Sequence, residues 1–232
     1  MRKAYGVYGC SGLGRETLPL VRSQLGEMEP PPEGYDLAFI DDGWEGKELH
    51  GTTVHRLESF LKLPADEHFA VVAIGDPATR QKVMKKCRSH GIRPLHVQAQ
   101  NAVIHDNVAI GEGALLCPFV TLTSDIQIGK GFQANLYSYV GHDCVIGDYV
   151  TFAPRVSCNG NVHIEDHAYI GTGAIFKNGK PGKPLRIGKG AVVGAGAVVT
   201  KNVPPGTTVF GNPAVELNAE NLDTMRKQGQ HF

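Results

Sequence analysis

Through most of the second half of the chain, apolar residues return at every sixth position. From residue 104 the series is Ile104, Ile110, Leu116, Leu122, Ile128, Ala134, Val140, Ile146, Phe152, Cys158, Ile164, Ile170 and Phe176, thirteen positions without a gap. Four residues after each stands a second inward slot, from Val108, Ala114, Val120 and Ile126 to Ala168 and Ala174; these are small or β-branched apart from Phe132. Glycine often follows the large aliphatic, as at Gly111, Gly129, Gly147 and Gly171. The rhythm breaks once. The next slot falls at 182, but Ile187 resumes the series five residues late, and Val193 and Val199 continue it. Residues 177–186 (KNGKPGKPLR) therefore read as a loop extruded from a continuing repeat.

An α-helix repeats every 3.6 residues and a strand every two, so neither holds a period of six for over 70 residues. Short strands joined by regular corners do, with two inward side chains per hexad. Three hexads close an 18-residue coil, and stacked coils bury their slots on one another as a parallel β-solenoid.

The first part of the chain has a different pattern. Residues 3–8 (KAYGVY), 35–40, 69–74 and 92–97 read as short buried strands. Helices are expected over 15–24, after the Gly-rich turn 9–14, and over 77–90, where Pro77 opens and Gly91 closes the segment. Strands alternating with helices imply an α/β layer with a parallel sheet. The Gly-rich turn suits a phosphate approached through backbone N–H groups, or serves as a tight structural turn. Its spacing is GxxGxG rather than the dinucleotide GxGxxG, and about 98 residues leave no room for two nucleotide-binding halves. A mononucleotide or nucleotide sugar fits better.

Composition narrows this further. Lys+Arg and Asp+Glu are both 23, which argues against a globally basic nucleic-acid binder. Eighteen of the 29 glycines lie after residue 103, so their excess belongs to the repeat. No apolar run reaches the length of a membrane span and no signal-peptide pattern opens the chain. Five cysteines without CxxC spacing suggest reduced thiols in a cytoplasm and no zinc site.

Among ten histidines His142 stands out, because it lies two residues after inward Val140, off both core slots, and Asp143 follows it. A corner histidine is open to a ligand, and an ordinary imidazole, of pKa ~6.5, accepts a proton near neutral pH. His163 and His167 are also off the core slots and read as surface residues. Cys144 occupies an inward slot, where burial keeps a thiol inert.

The segments IGEGAL, IGKGFQ, IGDYVT, IGTGAI, IGKGAV and VGAGAV resemble the hexapeptide repeat of left-handed β-helix acyltransferases, and GAGAVVTKNVPPGTTVFGNPA resembles their last coils. With GCSGLGRE, FIDD and AIGD in order before the repeat, the chain is similar to acetyltransferases of nucleotide-linked amino sugars and to sialic acid O-acetyltransferases. The resemblance implies an α/β + β architecture. A small Rossmann-like nucleotide-sugar-binding domain (1–98) precedes a left-handed parallel β-helix (99–215) and a C-terminal tail (216–232). It also implies a cytoplasmic homotrimer with acetyl-CoA bound between neighbouring β-helices and no metal.

The same resemblance assigns residues. Ser11, Gly12, Leu13, Asp41, Asp42 and Gly75 would hold the nucleotide, with Leu13 replacing a histidine of some members. His142 would be the catalytic base and Asp143 its partner, and Asn135 would touch the sugar. Gly160 would offer its N–H to the oxyanion. Thr172, Gly173, Ala195 and Lys201 would line the coenzyme A groove, and the cations Lys177, Lys180, Lys183 and Arg186 of the extruded loop suit its phosphates. Many members carry a second histidine where this chain has Thr151, near the acetyl group. The reaction implied is N-acetylation of a nucleotide-activated amino-dideoxy sugar by direct attack on acetyl-CoA. Sugar O-acetylation of the sialic acid type and a non-catalytic β-helix binding protein are the alternatives.

Overall fold

The structure, a computed structural model, describes residues 2–26 and 34–227. Its N-terminal layer is a six-stranded sheet built around β1 (Lys3–Tyr8). β2 (Asp36–Ile40) and then β4 (Thr52–His55) pair on one side; β5 (Glu67–Val72) and β6 (Arg93–Pro94) pair on the other, all in parallel. A two-residue β3 (Glu48–Leu49) closes one edge antiparallel to β4. This edge hairpin and the single turn α2 (Leu57–Phe60) were not expected from the pattern, because their burial is too patchy to write a strand or helix period.

β1 is buried at five consecutive positions because both faces of the sheet are covered. Tyr5 and Val7 pack with Leu18, Val21 and Leu25 of α1 (Gly12–Gly26). Ala4 and Tyr8 pack on the other side with Met84 and Cys87 of α3 (Pro77–Ser89). Asp76 caps α3 by accepting from Thr79 N at 2.8 Å. Both cores are completed by residues that follow β6 in the chain: Val97, Leu115 and Cys117 join the first, Tyr149 the second.

The expected strand 92–97 is two pieces. β6 belongs to the N-terminal sheet, whereas Val97–Gln98 pairs with Leu115–Leu116 and is already the first rung of the coil. From there the chain winds a three-faced prism of parallel strands. Face one runs through Leu115–Leu116, Gln133–Ala134, Thr151–Phe152, Tyr169–Ile170 and Val192–Val193. Face two runs through Val103–Ile104, Thr121–Leu122, Tyr139–Val140, Ser157–Cys158, Ile175–Phe176 and Val198–Val199. Face three runs through Val108–Ile110, Ile126–Ile128, Val145–Ile146, Val162–Ile164 and Leu185–Ile187. Eleven of the thirteen six-step positions are buried; Ile104 and Ile110, on the first coil, are half-covered.

The corners explain the period. A left-handed backbone residue recurs every sixth position from Asn107 to Gly173, always just before the second inward slot, and nine of these twelve are not glycine. The glycines after the large aliphatics serve close packing instead: a Cβ on Gly111 would lie 2.5 Å from the backbone of the next coil at Lys130 N. The extruded loop leaves the corner between faces two and three, closed by a bridge between Lys180 and Lys183, and is shorter than expected: Leu185 and Arg186 already pair with Val162 and His163 on face three, so Arg186 is not one of its cations. The described residues end with an antiparallel turn of Thr208–Phe210 on Val215–Glu216 and α4 (Ala219–Lys227). Within the expected tail, residues 228–232 lie outside the described residues.

Candidate active site

A cavity of about 280 Å³ opens between the two halves of the molecule. One wall is the start of α1 and the turn after β5, with Gly12, Leu13, Glu16 and Gly75; the other is face one and its corner, with Gln133, Asn135, Thr151 and Thr172. The glycines of the Gly-rich turn divide by role. Gly9 takes φ +110°, and a Cβ on Gly14 would lie 1.9 Å from the Gly9 carbonyl, so these two build the turn. Gly12 and Gly75 face open space within 4 Å, so backbone is exposed to the cavity from both loops. The first bond of α1 runs from Arg15 N to Ser11 O at 3.0 Å, so the N–H groups before it have no partner within the helix and carry the positive end of its dipole.

Ser11, Asp41 and Asp42 do not line the cavity. Asp41 accepts from Cys10 N and Gly43 N, both at 2.9 Å, and so shapes the Gly-rich turn. Asp42 accepts from the Tyr8 hydroxyl at 2.6 Å, Lys86 Nζ at 2.7 Å and Leu57 N at 2.9 Å. Burial pulls its pKa upward, but the hydrogen bonds from Lys86, Tyr8 and Leu57 N–H outweigh burial and hold it at about 2. The charged side chain of the cavity is Glu16, which the sequence analysis missed because a lone glutamate on a helix carries no motif.

The cavity is fastened by Arg80 of α3, which is fully buried. It donates to Ile74 O (2.7 Å) and Gly75 O (3.1 Å) in its own domain, and to Gly131 O (2.9 Å), Gln133 Oε1 (3.1 Å) and Tyr149 O (2.7 Å) of the prism. Burial brings its pKa down to about 10, which leaves it charged at neutral pH. Thr151, expected beside the acetyl group, donates its hydroxyl to Gly75 O at 2.8 Å. Its hydroxyl is committed to the contact between domains.

His142 lies elsewhere, on the corner between faces two and three. Its Nδ1 is 2.7 Å from Asp143 Oδ2, which fixes the tautomer with the proton on Nδ1 and leaves Nε2 as the free acceptor. Both side chains are more than half exposed. Asp143 is the left-handed corner residue, at φ 58°, a conformation an aspartate tolerates. The imidazole edge rests over Gly160, where a Cβ would come within 2.6 Å of Nε2.

The register Val140–Cys158–Phe176–Val199 then sets His142, Gly160, Asn178 and Lys201 at the same position on four successive coils. Three of these were expected as site residues and the coiling stacks them into one column. Asn178 was missed, since it sits at the mouth of the extruded loop; its Oδ1 accepts from Gly160 N at 3.1 Å, occupying the N–H expected to face an oxyanion. Asn178 and Lys201 line a second cavity of about 300 Å³ together with Lys177, Lys180 and Lys183. Thr172, Gly173 and Ala195 lie instead on the corner between faces one and two, with Thr172 and Ala195 on adjacent coils in register.

Cys144 and Cys158 are fully buried under the His142 corner. The hydrogen bond that it donates to its neighbour Cys144, with burial, pushes the Cys158 thiol well above the ordinary range. Neither thiol is placed to accept an acyl group. His163 is half-buried on face three, and His167 stacks on Tyr149 at 5.5 Å and meets Gln81 Oε1 at 3.1 Å, so it belongs to the contact between domains. Among the described residues no three His, Cys, Asp or Glu side chains are grouped to hold a metal ion, and no helix is long and apolar enough to cross a membrane.

Comparison with known proteins agrees with this architecture. Residues 6–87 match the family described as the PglD N-terminal domain. GDP-perosamine N-acetyltransferase of Escherichia coli O157:H7 is 48% identical over 213 residues, which cover 92% of this chain and 96% of that protein. WeeI from Acinetobacter baumannii AYE superimposes with a TM-score of 0.88 at 56% identity, covering 93% of this chain and 100% of WeeI. PerB from Caulobacter crescentus, solved with CoA and GDP-perosamine, gives 0.81 at 26% identity, covering 93% of this chain and 97% of PerB.

Proposed function

This chain belongs to the nucleotide-amino-sugar N-acetyltransferases built on a left-handed β-helix, and from that membership we propose that it acetylates the amine of a GDP-linked amino-dideoxy sugar. It is an acetyl-CoA-dependent sugar N-acetyltransferase. The relatives' names supply the guanosine diphosphate and perosamine type of acceptor. The observation that carries the chemistry is the column on the prism edge: a histidine held by its own aspartate, continuous through Gly160 and Asn178 with a pocket of four lysines.

In the proposed reaction the neutral amine attacks the thioester carbonyl carbon. The new N–C bond forms as the C–S bond breaks. His142 Nε2 takes the proton released by the nitrogen, Asp143 steadies the imidazolium, and the histidine returns the proton to the departing thiolate. Coils stack about 4.8 Å apart, so the Lys201 position is roughly 14 Å along the edge from His142, within reach of an extended coenzyme A arm. Lys177, Lys180, Lys183 and Lys201 would then meet its phosphates.

Gly12, Leu13 and Gly75 would hold the nucleotide sugar from the N-terminal side of the first cavity and Asn135 from the prism side, with Asp41 and Asp42 shaping the loops behind. That cavity and His142 occupy different faces of one chain. The contacts expected for acetyl-CoA likewise divide between two corners, Gly160 and Lys201 on one and Thr172, Gly173 and Ala195 on the other. Both facts support a homotrimer in which one copy's His142 edge meets its neighbour's cavity. Five buried free thiols favour a cytoplasmic enzyme.

The test is coenzyme A release with acetyl-CoA and a GDP-linked amino sugar, or free sialic acid, as acceptor. Release with the amino sugar alone is expected; release with sialic acid alone overturns the reading in favour of O-acetylation. His142→Asn should lower kcat by ~100-fold or more, the scale of a lost general base, with both substrates still bound. Turnover within the normal range would remove His142 from the mechanism.

A further inference from the structure

The bonds around Arg80 serve no step of the reaction above, yet they tie together both walls of the first cavity. A buried guanidinium is costly to place in a core, and packing alone would be met by a leucine. Here the charge is satisfied by oxygens of the carbonyl type from two separate bodies. Ile74 and Gly75 lie in the turn between β5 and α3, and Gly131, Gln133, Tyr149 and Val150 lie on the prism.

The network closes on itself. Gln133, which accepts from Arg80, donates through Nε2 to Val72 O at 2.7 Å, at the end of β5. Thr151 crosses the same gap to Gly75 O at 2.8 Å. The Gly75 carbonyl is thus held by one donor from each domain, while its Cα faces open space in the cavity. Gly75, Gln133 and Thr151 all line that cavity. Two of the side chains that fasten the domains, Gln133 and Thr151, are therefore also walls of the pocket, with Arg80 bonded directly behind them.

We propose that Arg80, Gln133 and Thr151 are positioning residues: they latch the Gly75 turn to face one of the prism and hold the pocket at the width that fits the nucleotide sugar. The proposal rests on reading this cavity as the nucleotide-sugar site. It also gives Thr151 a different task from the acetyl contact implied by resemblance, and the two tasks separate kinetically. A latch preorganises the nucleotide pocket and leaves the thioester untouched; an acetyl contact acts on coenzyme A and on turnover.

Thr151→Val removes the hydroxyl and keeps the shape. The dissociation constant for GDP and the KM for the GDP-linked amino sugar should both rise by ~10-fold, the scale of one buried hydrogen bond. The KM for acetyl-CoA and kcat should stay as in the parent, and Thr151→Ser should restore the nucleotide affinity. Arg80→Lys, whose ammonium offers three donors in place of a planar fork of five, should weaken GDP further. It should also speed backbone hydrogen exchange at residues 74–77 and 131–133 in the full chain. A Thr151→Val enzyme with altered acetyl-CoA KM or kcat and unchanged GDP affinity would return Thr151 to the acetyl group and overturn the latch. So would unchanged exchange and unchanged GDP affinity in both variants. If the parent protein transfers no acetyl group to any nucleotide sugar, the proposed function fails by itself, and the exchange rates still decide the latch.

Discussion

The two halves of this molecule fold by different kinds of rule, and they carry function differently. In the prism one local rule repeats: an inward aliphatic, a corner, a left-handed residue, an inward small residue. Each position has a default task, so a residue outside the default is visible. His142 is such a residue, a polar ring off both inward slots. The N-terminal layer has no repeat, and its motif residues look alike until they are placed. Of the glycines in the first turn, Gly9 and Gly14 build it and Gly12 opens to the cavity. Of the two aspartates after β2, Asp41 orders the turn and Asp42 joins α3 to β1 through Lys86 and Tyr8. A repetitive fold displays its functional residues as exceptions; a non-repetitive one mixes builders and binders in the same motif.

That contrast can be broken most forcefully in the prism core. Ile164 is 2% exposed and stacked between Ile146 and Ile187 of neighbouring coils. Ile164→Ala should cost about 2–5 kcal/mol, because an interior slot clamped on both sides cannot collapse. Urea denaturation measures it, and a cost like that of an ordinary surface change, about 0.5 kcal/mol or less, would mean that the slots are not close-packed.

A smaller effect tests the exception on the edge. Gly160→Ala places a methyl under the His142 ring, 2.6 Å from Nε2, and must push the imidazole aside. Turnover should fall by about 10–100-fold with thermal stability preserved, since misplacing a reacting group by an ångström is enough for that loss. Full activity would show that the ring's seat on Gly160 is immaterial.

The smallest effect is a pH dependence of the N-terminal layer. Asp42 is held at about 2 in the folded protein, below the ordinary aspartate value of ~3.9. A depressed carboxyl favours the folded state once the pH exceeds the unfolded value. Its contribution is therefore complete above about pH 4 and is lost as the pH falls towards 2. Because Asp42 is partly solvent-exposed, the effect is modest. Denaturation midpoints from pH 6 to 2 should fall less steeply in Asp42→Asn than in the parent, and equal slopes would mean that the Tyr8–Asp42–Lys86 cluster contributes nothing.

The residue order already contained the six-step coil, the buried slots, the opening of the extruded loop at residue 177 and the corner position of His142, but not the loop's end, since Leu185 and Arg186 pair on face three. These follow from periodicity, which is a property of neighbours along the chain. It also placed β1 and α3 to within a residue, since both have strong local signals. The tertiary structure alone decided which predicted residues meet. It put Val97 in the first coil instead of the N-terminal sheet, and set His142, Gly160, Asn178 and Lys201 in one column. It also brought Glu16 into a cavity and turned Thr151 and Arg80 into a fastening between domains. The physical reason is that these contacts join groups tens of residues apart. Their hydrogen-bond partners are chosen by how two finished surfaces dock, and no spacing along the chain encodes that choice.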